Sequence, residues 1–239
     1  MHTFNELWEN GPVYAQAEHF KLGTDSVLLA DFANTSSYKN GIDLGAGGGI
    51  LCLLLLCKSS KLHMTGLEIL PEAASVAELN IAENHLSERC DIMCGDIKNH
   101  RELFSSGEFD FVISNPPYFP QGSGYTSPQE SRAGARGEES CTLSDMCKAA
   151  SYLCRTGGAF FMVHRAERLA EIMCLLSENG LEPKRLRLVA HSQMHEPSLI
   201  LIEARRGGKP GLKIMPTLIL RNDDGSETDE VLKIYHREK

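Results

Sequence analysis

Short apolar runs alternate along this chain with longer segments of helical pattern, and this alternation limits its fold more than any other feature. Strands that alternate with helices are typical of a mostly parallel sheet covered by helices on both faces. The predicted strands lie near 41–44, 64–68, 90–94, 109–113, 158–163, 185–191 and 197–204. The predicted helices lie at 49–57, 71–84, 142–153 and 166–179. The pattern therefore predicts a seven-stranded α/β fold.

Three stretches lie outside the alternation. Residues 1–40 precede the first predicted strand and would flank the functional site. Residues 119–141 are rich in Gly and Pro, which predicts a mobile loop. Residues 207–239 form a C-terminal extension, in which a β-hairpin is predicted around Gly225. With the main domain at 41–206, we expect one compact domain overall.

The composition is typical of a soluble globular protein, with 42% hydrophobic and 23% charged residues in 239. The strongest apolar run, Ile50–Cys57, is far too short to cross a bilayer. Residues Met1–Asn10 lack the charged-then-apolar layout of a signal peptide. We therefore expect a cytoplasmic protein with no membrane partner, while the sequence predicts nothing about its oligomeric state.

None of the eight cysteines belongs to a Cys-x-x-Cys pair, and most lie among apolar residues. Reduced thiols in such surroundings behave as small hydrophobes, so disulfides are not expected. Cys90 and Cys94 are four residues apart, as are His191 and His195, but neither pair has partners at zinc spacing. No metal site is predicted.

A glycine-rich turn follows the first predicted strand of the sheet, in the stretch Gly41–Gly49. Glycines at Gly45 and Gly47, on either side of Ala46, would let backbone amides approach a ligand at the start of the next helix. Many nucleotide-binding folds have such a turn. It is not a phosphate-binding P-loop, because no Lys-Ser or Lys-Thr follows.

Acidic residues lie at the ends of three successive predicted strands. Asp43 stands just before the glycines, where a carboxylate would repel a pyrophosphate but hold an ammonium group. Glu68 is placed to accept hydrogen bonds from ribose hydroxyls, and Asp96 from an adenine amine. Ile69 and Ile97, which follow them, are predicted to line the same pocket. Although each carboxylate alone could be solvated or a helix cap, the set favours S-adenosylmethionine over NAD.

The stretch Asn115-Pro116-Pro117-Tyr118 directly follows the buried predicted strand 109–113. Prolines remove backbone N–H groups, which leaves carbonyl oxygens unopposed at this end of the strand. Asn115 Oδ1 and the Pro116 carbonyl can each accept one N–H of a planar amide or amine nitrogen, and Tyr118 offers a flat face for stacking. Taken alone, the four residues would indicate only a rigid β-turn.

Together, these motifs resemble those of the amino-methyltransferases of the seven-stranded S-adenosylmethionine class, which modify adenine N6 or glutamine. The shared pattern is Asp43-x-Gly45-x-Gly47, Glu68, Asp96 and Asn115 to Tyr118. This resemblance implies a Rossmann-like class I methyltransferase fold. Its features are a seven-stranded, mostly parallel sheet with a reversed last strand and helices on both faces. S-adenosylmethionine is the implied cofactor.

Two outer segments are similar to the bacterial tRNA adenine N6-methyltransferases that act beside the anticodon of a valine tRNA. They are Lys21–Leu29 and the C-terminal tail from Leu212. The resemblance implies that tRNA is the partner and that Gly23, Thr24 and Asp25 border the cofactor together with Asn115. Asp25 is equally consistent with a helix cap.

The formal net charge of −8 is unfavourable for binding nucleic acid, so local charge must decide. Basic residues concentrate within 184–213 and in the loop after the Asn-Pro-Pro-Tyr motif. The candidate RNA contacts are Arg132, Arg136, Lys184, Arg185, Arg205 and Arg206. A solvated face and strand ends would explain the same residues.

Three alternatives remain from the sequence. A glutamine methyltransferase of a translation factor is disfavoured, because such enzymes usually carry a sizeable helical domain ahead of the glycine turn. A guanine-N2 methyltransferase of rRNA often has Phe at the position of Tyr118. A non-catalytic protein that binds S-adenosylmethionine or RNA would not need both the acceptor and the stacking residues.

Overall fold

The computed structural model describes residues 3–16, 23–116 and 141–238. A short hairpin, β1 and β2, precedes helix α1 and a large sheet. The strands are β1 Asn5–Glu6, β2 Val13–Tyr14, β3 Asn40–Leu44, β4 His63–Glu68, β5 Cys90–Cys94, β6 Phe109–Ser114, β7 Cys154–Arg165, β8 Leu181–Ala190, β9 Leu199–Arg206, β10 Lys213–Ile214 and β11 Leu218–Ile219. The helices are α1 Thr24–Phe32, α2 Ile50–Lys58, α3 Pro71–Glu83, α4 His100–Leu103, α5 Leu143–Leu153, α6 Leu169–Glu178 and α7 Asp229–Ile234.

Within the described ranges, the large sheet has the strand order β10-β8-β9-β7-β6-β3-β4-β5, with β11 also paired to β8. Neighbouring strands from β5 to β7 are parallel, whereas β9 runs antiparallel to both β7 and β8. The reversed strand is the last of the seven predicted ones. The predicted sheet is therefore confirmed.

Helices pack on both faces of this sheet, because alternate residues of the central strands point to opposite sides. Phe111 and Ile113 of β6 belong to a buried cluster with α1, α2 and the C-terminal helix α7. Val112 belongs to a second cluster with α5 and α6. The strand is thus buried from both directions, as its continuous apolar run predicts.

Strand β8 begins earlier than predicted. Its first residue is Leu181 rather than a residue near 185, and Pro183 therefore lies inside the strand. Proline cannot donate to a sheet ladder, and the pairing with β9 shifts its register between Pro183 and Arg185. A bulge therefore accommodates Pro183, which lies before the predicted start of this strand.

Two helix ends carry residues that suit those positions. Pro71 begins α3, and Gly180 after α6 adopts a left-handed conformation with φ of 69°. The hypothesis that Asp25 caps α1 is wrong. The N-cap is Gly23, which provides no side-chain hydrogen bond, and Asp25 lies inside the first turn.

The C-terminal extension differs from the predicted hairpin. The chain does reverse around Gly225, but only Arg221 and Glu227 form an antiparallel bridge there. The second apolar run is helix α7 rather than a strand, since Thr228 Oγ1 caps it by accepting from Val231 N at 3.4 Å. Strands β10 and β11 instead add to the large sheet, where both run parallel to β8.

Membrane spans and metal clusters are both absent from the described ranges. No helix there has the length and apolar character needed to cross a membrane. The same residues include no group of three or more His, Cys, Asp or Glu side chains that could bind a metal ion. All eight cysteines are free thiols. The predicted loop 119–141 lies outside the described residues, except for Cys141.

Candidate active site

The acidic residues and the Asn-Pro motif lie along one edge of the sheet. Asp43 is near the carboxyl end of β3, Glu68 ends β4, and Asp96 follows β5. Asn115 and Pro116 follow β6, which pairs with β3 on the other side. Because these four strands are parallel neighbours, the predicted residues form a continuous row where ligands of open α/β sheets bind.

The glycine turn is held against β4 by hydrogen bonds. The amides of Gly45 and Ala46 donate to the Leu67 carbonyl at 2.9 and 3.0 Å, and the Gly47 amide donates to Glu68 Oε2 at 2.7 Å. Gly45 has φ of 79°, and a Cβ built there would meet no heavy atom within 4 Å. The turn is therefore rigid but leaves space for close approach beside Gly45.

The side chain of Glu68 connects two backbone segments of the site. The side chain is buried, and its second oxygen, Oε1, accepts from the Leu70 amide at 2.9 Å. The carboxylate thus ties the glycine turn to the segment after β4. Each oxygen has a further lone pair, so the carboxylate can also accept the hydrogen bonds from ribose hydroxyls that the sequence predicts.

Asp43 is the most unusual group in the site. Its side chain is 1% exposed, and its Oδ1 has no hydrogen-bond partner among the described residues. Its Oδ2 lies 4.0 Å from the thiol of Cys52. Burial, together with the nearby charge of Glu68, raises the pKa of Asp43 to about 8. Burying a carboxylate without compensation is costly, so this position fits a ligand that brings positive charge.

The adenine side of the predicted pocket is built from the residues after β4 and β5. Asp96 Oδ1 accepts from the Lys98 amide at 2.8 Å, which fixes the short helical turn that contains buried Ile97. Ile69 is 40% exposed, which is high for a large apolar side chain beside a crevice. Exposed apolar surface next to an oriented carboxylate suits an aromatic base.

Asn115 is half-buried and fixed by a contact from the N-terminal part of the chain. Its Nδ2 donates to Ser26 Oγ in the first turn of α1 at 2.9 Å. The preceding residue, Ser114, donates its hydroxyl to the Leu44 carbonyl of β3 at 2.7 Å. The bond to Ser26 brings the first turn of α1, with Thr24 and Asp25 and the N-cap Gly23, to the same edge. Pro117 and Tyr118 lie outside the described residues, as do Arg132 and Arg136.

A second set of residues at this edge was not predicted from the sequence. Asn80 of α3 is fully buried, and its amide bonds Ala15 N at 2.7 Å, Ala15 O at 2.9 Å and Gly48 O at 2.9 Å. Asn84, one turn later, accepts from Val13 N at 2.9 Å and donates to Val13 O at 2.7 Å. We call Asn80 and Asn84 the asparagine clamp.

The clamp brings Tyr14 onto the glycine turn. A Cβ at Gly48 would overlap Tyr14 Oη, so glycine is required there by close approach. Burial and the proximity of Asp43 raise the pKa of Tyr14 to about 12, so the phenol stays neutral. One signal in the sequence was available, since Asn80 shares the otherwise apolar face of α3 with Ala73, Ala77 and Ile81.

Two of the basic residues predicted to contact RNA, Arg205 and Arg206, lie at the opposite end of the sheet. Arg205 pairs across the ladder with Ala159, near the start of β7, and Arg206 pairs with Leu181 at the start of β8. Their partners are within the protein. Arg205 and Arg185 both bind the buried carboxylate of Glu203.

Among the described residues, the other two predicted RNA contacts, Lys184 and Arg206, also have partners within the protein. Arg206 donates to the Cys154 carbonyl, and Lys184 donates to the Lys209 carbonyl. Their predicted role in RNA binding stays a prediction.

The sheet order and the row of residues at its carboxyl edge define a class I methyltransferase. A sequence profile described as "Methyltransferase small domain" matches residues 6–179. The chain therefore belongs to the methyltransferase small domain family.

Curated relatives give closer similarity. A tRNA1(Val) (adenine(37)-N6)-methyltransferase of Porphyromonas gingivalis is 32% identical over 191 residues, which cover 77% of this chain and 74% of that protein. A protein of the same name from Bacteroides fragilis is 30% identical over 182 residues, or 76% of each chain.

Solved structures support the fold. A predicted O-methyltransferase from Agrobacterium tumefaciens superposes with a TM-score of 0.73 at 20% identity, covering 90% of this chain and 96% of that one. TYW2 from Pyrococcus horikoshii, in complex with MeSAdo, gives a TM-score of 0.58 at 15% identity, covering 87% and 72% of the two chains.

Proposed function

We propose that this protein transfers a methyl group from S-adenosylmethionine to the exocyclic N6 amine of an adenine in tRNA, next to the anticodon. One observation carries the proposal. The half-buried amide of Asn115 follows β6 directly beside β3, whose buried Asp43 has a carboxyl oxygen without a partner among the described residues. A site for a cationic donor and an acceptor for a planar nitrogen are thus neighbours. The names of the curated relatives support adenine in tRNA as the substrate.

The residues present fit the cofactor. Asp43 Oδ1, which has no partner among the described residues, suits the ammonium of the methionine end, and the space beside Gly45 admits a ligand close to the backbone. Glu68 and Asp96 would accept from the ribose and the adenine amine, beside Ile69 and Ile97. Gly23, Thr24 and Asp25 would border the same pocket from α1. When bound, S-adenosylmethionine supplies an activated methyl group on a sulfonium.

The chemical task of the protein is to present a weak nucleophile. The N6 nitrogen of adenine is conjugated to the ring and gains positive charge as it attacks. Asn115 Oδ1 and the Pro116 carbonyl would each accept one N–H, which aims the lone pair and stabilises that charge. The N–C bond forms as the C–S bond breaks. One amine proton then passes to water, and S-adenosylhomocysteine remains.

Two substitutions should separate the two halves of the site. Asn115→Ala should lower methyl transfer by roughly 10²-fold or more while leaving the affinity for S-adenosylhomocysteine nearly intact, because the amide serves the transition state. Asp43→Ala should weaken that affinity, because the ammonium loses its partner. Isothermal titration calorimetry and single-turnover methylation of tRNA measure both effects. Equal loss of binding in the two variants would contradict this division of roles.

The substrate is tested by mass spectrometry of nucleosides from tRNA of a strain that lacks the protein. We expect one N6-methyladenosine to disappear and to return when the purified protein and S-adenosylmethionine are added to that tRNA. Parallel digests of translation factors and rRNA test the glutamine and guanine alternatives. If every methylated adenine survives in the deletion strain, the tRNA proposal fails.

A further inference from the structure

The contact between Ser26 and Asn115 joins the N-terminal helix to the acceptor site. Ser26 lies in the first turn of α1 and is 5% exposed, while Asn115 follows β6, 89 residues later in the chain. The hydroxyl accepts one N–H of the Asn115 side-chain amide at 2.9 Å. A hydrogen bond of this length is well formed.

The consequence for Asn115 follows from the geometry of a primary amide. Its two N–H donors and its oxygen lie in one plane, on opposite sides of the Cγ atom. Once Nδ2 faces Ser26, Oδ1 faces the other way. A rotation of about 180° would exchange acceptor for donor, and a donor directed at an amine N–H is repulsive. The orientation of this amide therefore decides whether the site accepts an amine.

We propose that Ser26 is a positioning residue for methyl transfer, which holds the Asn115 amide with its oxygen toward the substrate nitrogen. This inference rests on the proposed function. Ser26 itself touches neither substrate nor donor in this role. It acts through Asn115, so its effect should appear in the rate of the chemical step rather than in cofactor affinity.

The main test is a double-mutant cycle on the full-length protein with the tRNA substrate. Ser26→Ala should lower the single-turnover rate by roughly 10- to 100-fold, the order expected when a reacting group is misplaced. The affinity for S-adenosylhomocysteine should change by less than about threefold. In an Asn115→Ala background, Ser26→Ala should have no further effect on the rate, because its partner is gone.

Ser151→Ala is the matched control. The Ser151 hydroxyl donates to the Asn179 carbonyl at 2.6 Å, away from the site, so the variant loses one comparable hydrogen bond. It should keep the wild-type rate, and thermal unfolding shows whether the two serine variants are equally stable. A wild-type rate for Ser26→Ala, or the same loss with and without Asn115, would overturn the inference.

A second measurement does not depend on the RNA substrate. In ¹⁵N-labelled protein bound to S-adenosylhomocysteine, the side-chain amide signal of Asn115 is identified by its absence in Asn115→Ala. That signal should shift in Ser26→Ala and stay in place in Ser151→Ala. If the signal does not move, the contact is refuted. If the signal shifts in Ser26→Ala but the wild-type protein does not methylate tRNA, only the proposed function is refuted.

Discussion

Asp43 is a carboxyl group in surroundings that do not favour its charge. It is buried at the end of β3, its Oδ1 lacks a partner among the described residues, and Glu68 adds negative charge nearby. Both burial and the neighbouring charge favour the protonated form, which is why its pKa rises to about 8. Without a ligand, the folded protein therefore holds a proton on Asp43 that the unfolded chain has released at neutral pH.

This proton makes the stability of the cofactor-free protein depend on pH. Between the ordinary pKa of 3.8 and about 8, the folded state binds more protons than the unfolded state, so the free energy of unfolding falls as pH rises. Asp43→Asn removes this contribution. We expect its melting temperature to exceed that of the wild type by a few degrees at pH 8, and by less at pH 5.

Thermal unfolding of both proteins across this range, without cofactor, measures the difference. Asp91→Asn is the matched control, since it makes the same substitution at an exposed position on β5. If the free energies of unfolding of Asp43→Asn and the wild type change equally between pH 5 and 8, the carboxyl group of Asp43 is ionised over this whole range. That result would contradict the prediction.

Among the helices and strands, the glycine turn depends on parts of the chain on both sides of it. The carboxylate of Glu68 holds it from β4, while Asn80 holds Gly48 from α3 and fastens the N-terminal segment over it. Helix α1 then reaches Asn115 through Ser26. Residues before β3 thus support both the glycine turn and Asn115.

The asparagine clamp should contribute measurably to stability. Asn80→Ala leaves three backbone groups, two of Ala15 and one of Gly48, without their partners in a buried region. We expect a loss of about 2–4 kcal/mol in the free energy of unfolding, together with weaker binding of S-adenosylhomocysteine. Urea denaturation and calorimetry measure the two effects.

Asn179→Ala provides the comparison for Asn80→Ala. The Asn179 amide donates to the Leu175 carbonyl of its own helix at 2.7 Å and lies partly exposed, so its loss should cost about 1 kcal/mol or less. A similar loss in both variants would mean that the bonds of Asn80 add nothing beyond those of a surface asparagine.

The sequence predicted those features that depend on local pattern. The apolar runs identified all seven main strands, and the acidic residues predicted at successive strand ends do lie along one edge of the sheet. Contacts between distant segments could not be predicted in this way. Ser26 and Asn115 are 89 residues apart, and Ala15 and Asn80 are 65 apart. Only the packing of α1 and α3 beside the sheet brings such pairs together.

Across the protein as a whole, two regions of the large sheet differ in chemistry. The carboxyl edge of β3 and β6 holds Asp43 and Asn115, whereas β8 and β9 carry a cluster of ionic bonds. In this cluster Glu203, 4% exposed, binds both Arg185 and Arg205, and Arg205 also bonds the Tyr38 hydroxyl. Removing one partner of a buried ion pair is costly, so these arginines have a clear structural role.

We therefore expect Arg205→Ala to lower the free energy of unfolding by about 1–3 kcal/mol while leaving the salt dependence of tRNA binding unchanged. If Arg205 instead binds RNA, log affinity should fall less steeply with log salt concentration in Arg205→Ala than in the wild type. The magnitude of the slope should decrease by roughly one for each phosphate that the arginine neutralises. Filter binding across a range of salt concentrations, at neutral pH, distinguishes these outcomes. Lys61→Ala, at an exposed position, controls for the removal of one positive charge.

The pairing of β10 and β11 with β8 has a consequence for solubility. Without residues 213–219, the backbone N–H and C=O groups of β8 would face water along one side, and an open strand of this kind readily recruits strands from other molecules. The short parallel additions occupy that side. The C-terminal extension thereby replaces a long open strand with two strands of two residues each, and very short strands are poor templates for pairing with another molecule.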